Sequence, residues 1–308
     1  MDILSLVGNT PLVELRNCSP KPGVRILAKL EGQNPTGSIK DRIVAYMLER
    51  ARADGRLKPG QEIVEASTGN TGIALAFVGR RLGHPVRVVV PQSVFPDVVR
   101  TLQAFDIGIE WVPAHLGIKS ALDVARDIVQ RDGSYLLDQF GSTENPQSHY
   151  ETTGPEIVAA CPEVDIFVCG LGTGGTAMGV GRRLREHNPN VRVVVAEPHP
   201  GNNLQGLRSL ADGYIPPILD LTRLDGKVLV RSANAFRAAR ELLHREGIFA
   251  GLSSGAVMYA ALKAAQRLER GTIVVMFADG GWKYLTTPAF SPDGIMDDED
   301  ELDDVLWW

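Results

Sequence analysis

Four short segments combine residue types that can do chemistry with the small residues that let a ligand reach the backbone. In the run Asn34-Pro35-Thr36-Gly37-Ser38-Ile39-Lys40-Asp41-Arg42, Pro35 and Gly37 shape a turn, Ser38 can cap an incoming helix, and Lys40 falls in its first turn. The positive end of a helix dipole disfavours an ammonium there. Lys40 is therefore either a solvent-facing lysine held at a small cost or an amine kept near its neutral, nucleophilic form. In Glu65-Ala66-Ser67-Thr68-Gly69-Asn70-Thr71-Gly72, the polar side chains and backbone N–H groups can grip a carboxylate, although the same letters also serve simple helix capping. A third small-residue turn, Gly251-Leu252-Ser253-Ser254-Gly255, precedes a helix predicted from Ala256.

The fourth segment, Gly170-Leu171-Gly172-Thr173-Gly174-Gly175-Thr176, reads in two ways. Gly170, Gly172 and Gly175 satisfy a dinucleotide fingerprint, and Glu197 stands at the offset of a ribose-binding acid, as in a nicotinamide-dependent oxidoreductase. A single phosphate is enough for the other reading, because consecutive N–H groups in a glycine turn at a helix N-terminus bind any anion. A tight turn chosen only for packing is the plain alternative. No Gly-Lys-Ser/Thr ending follows, so a nucleotide P-loop is excluded. Two anion sites and one candidate amine point to a phosphorylated cofactor held beside an amino-acid carboxylate.

Short β-branched runs alternate with helical patterns along nearly the whole chain. Strands are predicted at 26–30, 62–65, 86–90, 109–112, 164–169, 191–196 and 272–277. Helices are predicted at 43–53, 71–82, 97–105, 119–130, 176–185, 233–246 and 255–268. This is the α/β pattern of mostly parallel sheets with ligands at the carboxyl ends of strands. Residues 197–226 read as a long, functional loop. The 308 residues allow one or two domains, and 37 acidic against 32 basic side chains without a basic block argue against a nucleic-acid partner. Three cysteines without paired spacing suit a reducing compartment, and the apolar runs are strand-sized, so cytoplasm and no membrane are expected.

The motifs GNTPLV, KLEGQNPTGSIKDR, EASTGNTGIALA, LLDQF with HYETTGPEI, GLGTGGT, EGIFAGLSSGA and GWKYL occur in an order that resembles the cysteine synthase family of fold-type-II pyridoxal-phosphate enzymes. The resemblance implies a two-lobed α/β fold like that of the tryptophan synthase β-subunit. A larger cofactor domain would take residues 1–37 and 146–308, and a smaller mobile one residues 38–145. It implies pyridoxal 5'-phosphate as cofactor, Lys40 as Schiff-base lysine and general base, and Asn70 beside the ring hydroxyl. It further implies Gly172, Thr173, Gly174, Gly175 and Thr176 as phosphate cradle, and Ser253, which is easily confused with Ser254, at the pyridine nitrogen. Ser67, Thr68, Thr71 and Gln139 would hold the substrate carboxylate. The implied reaction replaces the β-substituent of an activated L-serine with sulfur to give L-cysteine, in a homodimer.

Leu207-Arg208-Ser209 followed by Asp212-Gly213-Tyr214 resembles the cysteine synthase B, or O-phosphoserine sulfhydrylase, branch. There Arg208 would meet a substrate phosphate, which a guanidinium binds through paired hydrogen bonds; the alternative is a rim salt bridge. O-phospho-L-serine is favoured over O-acetyl-L-serine. The acidic tail 292–308 with its apolar tip is similar to members that take sulfur from a small thiocarboxylated carrier protein, with sulfide or thiosulfate as other donors. Gly141-Ser142-Thr143-Glu144-Asn145 and the stretch PQSVFPDVVR depart from the family pattern. They leave open a non-sulfur nucleophile giving a diaminopropionate-type product.

Overall fold

The β-branched run near residue 272 becomes strand β10 (Gly271–Phe277), third across a seven-stranded sheet in a computed structural model. The structure describes residues 2–92, 94–113, 115 and 117–291, together with the backbone of Val305–Trp307. The other strands of this sheet are β1 (Leu12–Glu14), β2 (Val24–Leu30), β7 (Ile166–Gly170), β8 (Arg192–Pro198), β9 (Gly226–Val230) and β11 (Val305–Trp307). They lie in the order β1-β2-β10-β7-β8-β9-β11. The inner pairings are parallel, and only the outermost strands β1 and β11 run antiparallel to their neighbours.

Alternation along these strands buries both faces, as a parallel sheet between helices requires. Ile26, Ala28, Ile273 and Val275 join one core, whereas Leu27, Val274 and Met276 join the other. Helices α8 (Ser232–Glu246) and α9 (Leu252–Gln266) cover the first face, and α6 (Thr153–Ala160) and α7 (Gly175–His187) the second. The third glycine segment is not a turn ahead of a helix, because α9 begins at Leu252 and runs through Gly255. A Cβ on Gly255 would stand 2.0 Å from the Ala235 carbonyl oxygen, so the glycine lets α8 and α9 meet closely rather than stopping α9.

A second sheet of four parallel strands has the order β5-β4-β3-β6, from β3 (Ile63–Ala66), β4 (Val86–Pro91), β5 (Gly108–Val112) and β6 (Tyr135–Leu136). Helices α1 (Lys40–Ala53), α2 (Asn70–Arg81) and α3 (Pro96–Ala104) pack on one side, and α4 (Gly117–Asp132) on the other. Helix α5 (Glu144–Glu151), in a stretch where no helix was predicted, packs against both α1 and α7. The acidic tail lies outside the described residues apart from the backbone of β11.

Candidate active site

Strand ends from both sheets open onto one cavity of about 130 Å³. Lys40, Ser67, Thr68, Asn70, Thr71, Gln139, Gly172, Thr173, Gly174, Thr176, Arg208 and Ser253 all line it. Residues from six stretches of sequence thus meet as the motifs imply, with Gly175 alone standing behind the wall. A Cβ on Gly175 would come 1.9 Å from Asn145 Oδ1, so this glycine admits α5 against the start of α7.

Lys40 is brought to the cavity by backbone pairing across the seam between the lobes. Ile39 N–H donates to the Ala278 carbonyl at 2.8 Å, and Gly280 N–H donates to the Gly37 carbonyl at 3.3 Å. Gly37 turns with φ +79°, a left-handed conformation that favours glycine. The Asp41 carboxylate accepts from Thr36 N–H at 2.7 Å and from the Thr36 hydroxyl, which fixes the loop leading into α1. Ser38 Oγ accepts the Lys40 N–H at 3.3 Å, but Ser38 is not the helix cap: Ile39 stands at the N-cap of α1, without a side-chain capping bond. Burial pushes the Lys40 ammonium down to about 8, with the nearby Asp279 carboxylate opposing that shift. An amine with such a pKa is still mostly protonated at neutral pH but holds a far larger neutral, nucleophilic fraction than an ordinary lysine.

The loop after β3 is shaped by its own hydroxyl. Ser67 Oγ accepts the N–H groups of Gly69 at 3.2 Å and Gly72 at 3.0 Å, so this serine organises the N-terminus of α2. Thr71 donates its hydroxyl to Gln139 Oε1 at 2.7 Å, and Gln139 Nε2 donates to the Ala66 carbonyl at 3.1 Å. The Thr68 carbonyl accepts from Gln205 Nε2 at 3.0 Å, a contact from the large-sheet side of the cleft.

On the opposite wall, the glycine loop runs from β7 into α7, with Gly174 at φ +90°. A Cβ on Gly174 would stand 3.0 Å from Leu219, and one on Gly172 would stand 3.1 Å from the Gly206 carbonyl oxygen. A side chain at either position would crowd the cradle. Asn145 Nδ2 donates to Thr173 Oγ1 at 3.0 Å and to the Gln139 carbonyl at 2.7 Å. His149 Nε2 lies 3.3 Å from Thr176 Oγ1, and its Nδ1 lies 2.9 Å from Thr153 Oγ1. Burial, reinforced by the charges of Lys40 and Arg42, holds the His149 imidazole well below its usual pKa, so it is neutral.

Of the two adjacent serines, Ser253 faces the cavity, whereas Ser254 is buried away from it with an unpartnered hydroxyl. Glu197 is also buried, accepting from Leu210 N–H at 2.7 Å and Ser209 Oγ at 3.2 Å and pairing with Lys227 at 2.9 Å. It is spent on the fold and outside the cavity, unlike the ribose-binding acid of a dinucleotide site. Asn145, His149, Gln205, Asp279 and Lys283 received no role from the sequence. His149 and Lys283 lie inside motifs noted there, but the cavity residues they meet, Thr176 and Asn70, lie 27 and 213 positions away in sequence.

An amine, a glycine cradle at a helix N-terminus, and a hydroxyl facing the same space fit an aldehyde-bearing phosphorylated cofactor. A family model described as "Pyridoxal-phosphate dependent enzyme" matches residues 3–279. The chain belongs to that family. Within it, this pyridoxal-phosphate-dependent enzyme is similar to a cysteine synthase of Aquifex aeolicus, 41% identical over 300 residues that cover 94% of this chain and 92% of the relative. It is also similar to "Cysteine synthase B" of Pseudomonas aeruginosa, 38% identical over 292 residues covering 94% and 97%. Among solved structures, O-ureido-L-serine synthase superimposes with a TM-score of 0.89 at 35% identity, covering 97% of this chain and 96% of that one. The enzyme is thus a fold-type-II member of the cysteine synthase family, related to its B branch, and the activity that goes with this membership is β-replacement on a serine-derived substrate by a sulfur nucleophile.

The three cysteines are buried free thiols, and burial pushes Cys169, on the cavity wall, up to about 12. No helix among the described residues is long and apolar enough to cross a membrane.

Proposed function

We propose that the protein replaces the phosphate on the β-carbon of O-phospho-L-serine with a sulfur nucleophile, forming L-cysteine. Arg208 is the observation that supports phosphate as leaving group. Its guanidinium lines the same cavity as Lys40, between the rings of Phe140 and Tyr214 at 5.7 and 5.5 Å. Its Nε is buried without an acceptor, and the Asp212 carboxylate, 4.0 Å from Nη2, is mostly exposed. A buried charged donor lacking a partner is costly, and a phosphate dianion satisfies it through paired N–H···O bonds. An acetyl ester has no such charge to offer.

Pyridoxal phosphate, when bound, supplies an electron sink for charge developing at the substrate α-carbon. The residues provide the rest. The glycine cradle with Thr173 and Thr176 would hold the cofactor phosphate, Asn70 would meet the ring hydroxyl, and Ser253 would offer a neutral hydroxyl to the ring nitrogen. Lys40 takes the α-proton and later returns it. Ser67, Thr68, Thr71 and Gln139, with the N–H groups at the start of α2, bind the substrate carboxylate. Movement of the smaller lobe, residues 38–145, excludes water during the exchange. The sulfur donor is sulfide, thiosulfate or the thiocarboxylate end of a small carrier protein, and the enzyme works as a cytoplasmic homodimer.

A second reading keeps the same site with a non-sulfur nucleophile, and the likeness to O-ureido-L-serine synthase favours it, since the fold does not choose the nucleophile. The test compares O-phospho-L-serine with O-acetyl-L-serine in wild type and Arg208→Ala, with product identification for sulfide and for amine nucleophiles. Arg208→Ala is expected to lower kcat/KM for the phosphorylated substrate by about 10²-fold and leave the acetylated one nearly unchanged. Equal effects on both substrates reject the phosphoserine assignment. Turnover only with amines rejects cysteine formation.

A further inference from the structure

Asn70 is held between two groups that admit only one orientation of its amide. Lys283 Nζ lies 2.6 Å from Asn70 Oδ1, and Asn70 Nδ2 donates to Asp279 Oδ2 at 2.7 Å. Ammonium is a donor without an acceptor, and ionised carboxylate an acceptor without a donor. The amide oxygen must therefore face Lys283 and the nitrogen Asp279. The reverse orientation would set donor against donor at one end and acceptor against acceptor at the other.

The sequence around these residues builds that arrangement. After β10 the chain forms a single 3₁₀ turn, Gly281–Tyr284, which sends Trp282 outward, 73% exposed, and turns Lys283 and Tyr284 inward to the cavity wall. The Tyr284 hydroxyl donates to the same Asp279 Oδ2 at 2.5 Å, leaving that oxygen doubly hydrogen-bonded and the carboxylate fixed. Asp279 is itself held by backbone pairing with Ser38 and by Gly251 N–H, which donates to its carbonyl at 3.0 Å. The Lys283 stem passes over Gly37, where an added Cβ would meet its Cε at 3.6 Å. Lys283 and Asp279 come from the larger sheet's side, whereas Asn70 opens α2 on the smaller sheet, so the contact crosses the cleft.

We propose that Asp279 and Lys283 are positioning residues that fix the Asn70 amide as a hydrogen-bond donor toward the cofactor's ring oxygen. The inference rests on cofactor binding at this cavity and not on which leaving group the substrate carries. Neither side chain has to touch the reacting atoms. Their effect passes through the direction of one amide, and with it the protonation of the ring oxygen and the lobe position at which Asn70 reaches it.

The test uses full-length holoenzyme of wild type, Lys283→Met, Lys283→Arg and Asp279→Asn, each titrated with pyridoxal phosphate and scanned in the visible range. Wild type must bind the cofactor and show a visible band; if it does not, the cofactor reading itself fails, independently of this inference. Lys283→Met and Asp279→Asn are expected to move intensity from the visible band to shorter wavelength. They should also lower kcat by at least about tenfold with a smaller change in KM, the size expected for loss of a charge-assisted hydrogen bond. Lys283→Arg should restore most of the band and of kcat. Wild-type spectra and kcat in Lys283→Met overturn the proposal. So do equal losses in Lys283→Met and Lys283→Arg accompanied by a lowered melting temperature of the cofactor-free protein, which mark a purely structural role. Should Lys283→Met not fold, the spectrum of Asp279→Asn decides in the same way.

Discussion

Arg42 and Glu156 form a two-point ion pair, Nη1 to Oε1 and Nη2 to Oε2 both at 2.7 Å, while Arg42 Nε donates to Glu31 Oε2 at 2.6 Å. Lys29 Nζ completes the cluster 2.6 Å from Glu156 Oε2. One guanidinium on α1 therefore ties the smaller lobe's first helix to Glu31, just after β2, and to Glu156 on α6.

Removing that guanidinium should be severe. Arg42→Met leaves Glu31, fully buried, without its charge partner and is expected to cost about 3–5 kcal/mol in urea denaturation. Burial pushes the Glu156 carboxyl up, but the Arg42 hydrogen bonds and charge, with Lys29, outweigh it and hold the group at about 2. Because its folded pKa is depressed, this stabilisation is complete above about pH 4.5 and is lost as pH falls toward 2, an effect of about 3 kcal/mol. The acid slope should be much shallower in Arg42→Met; an unchanged slope rejects the assignment.

Glu65 behaves in the opposite sense. Burial raises its carboxyl to about 8, Asp138 adding to the shift and the Gln139 backbone N–H opposing it. A raised folded pKa gives stability that is whole below about 4.5 and lost as pH rises through 8. Glu65→Gln should match wild type in mild acid and exceed it by a few kcal/mol above pH 8. Melting curves across that range that run parallel for the two proteins would reject a protonated Glu65.

Lys40 gives a kinetic signature before any substrate is added. Its pKa of about 8 means that cofactor capture by the cofactor-free protein should speed up with pH through that value and then level off. Lys40→Ala should bind pyridoxal phosphate more weakly and resist borohydride fixation. A capture rate that does not vary between about pH 6.5 and 9.5 contradicts a neutral-amine nucleophile.

The adjacent serines separate by location. Ser254→Ala removes a buried hydroxyl that lacks a partner and should stabilise the protein by about 1 kcal/mol with activity unchanged. Ser253→Ala, at the cavity surface, should alter the absorbance of bound cofactor with little effect on melting temperature. If the spectral change follows Ser254 instead, the two roles have been exchanged.

Much of this architecture was legible in the sequence because strand-to-helix turns advertise themselves through glycine and hydroxyl residues. Lys40, Ser67 and Gly172 sit at or beside such turns, Ser253 lies in the first turn of α9, and all four reach the cavity. Two kinds of feature were hidden. Short elements such as β6 and α5 lack the long periodic pattern that marks a helix or strand, and Asn145 and His149 were found only through the elements they pack against. Buried polar groups were hidden for a different reason. Asp279 and Lys283 owe their role to Asn70, more than two hundred positions earlier, and nothing in local spacing records such a partner. The boundary of α9 was misplaced because Gly255 and its serine neighbours resemble a turn, while their smallness in fact serves the approach of α8.

The antiparallel pairing of β11 with β9 has a practical consequence. Val305, Leu306 and Trp307 stand opposite Val228, Lys227 and Gly226, so the outer hydrogen-bonding groups of β9 are already engaged. Shortening the chain before Val305 would bare a row of amides and carbonyls to neighbouring molecules in solution. Exposed margins of that kind invite strand exchange and precipitation, so a trimmed protein is expected to lose shelf life before it loses turnover.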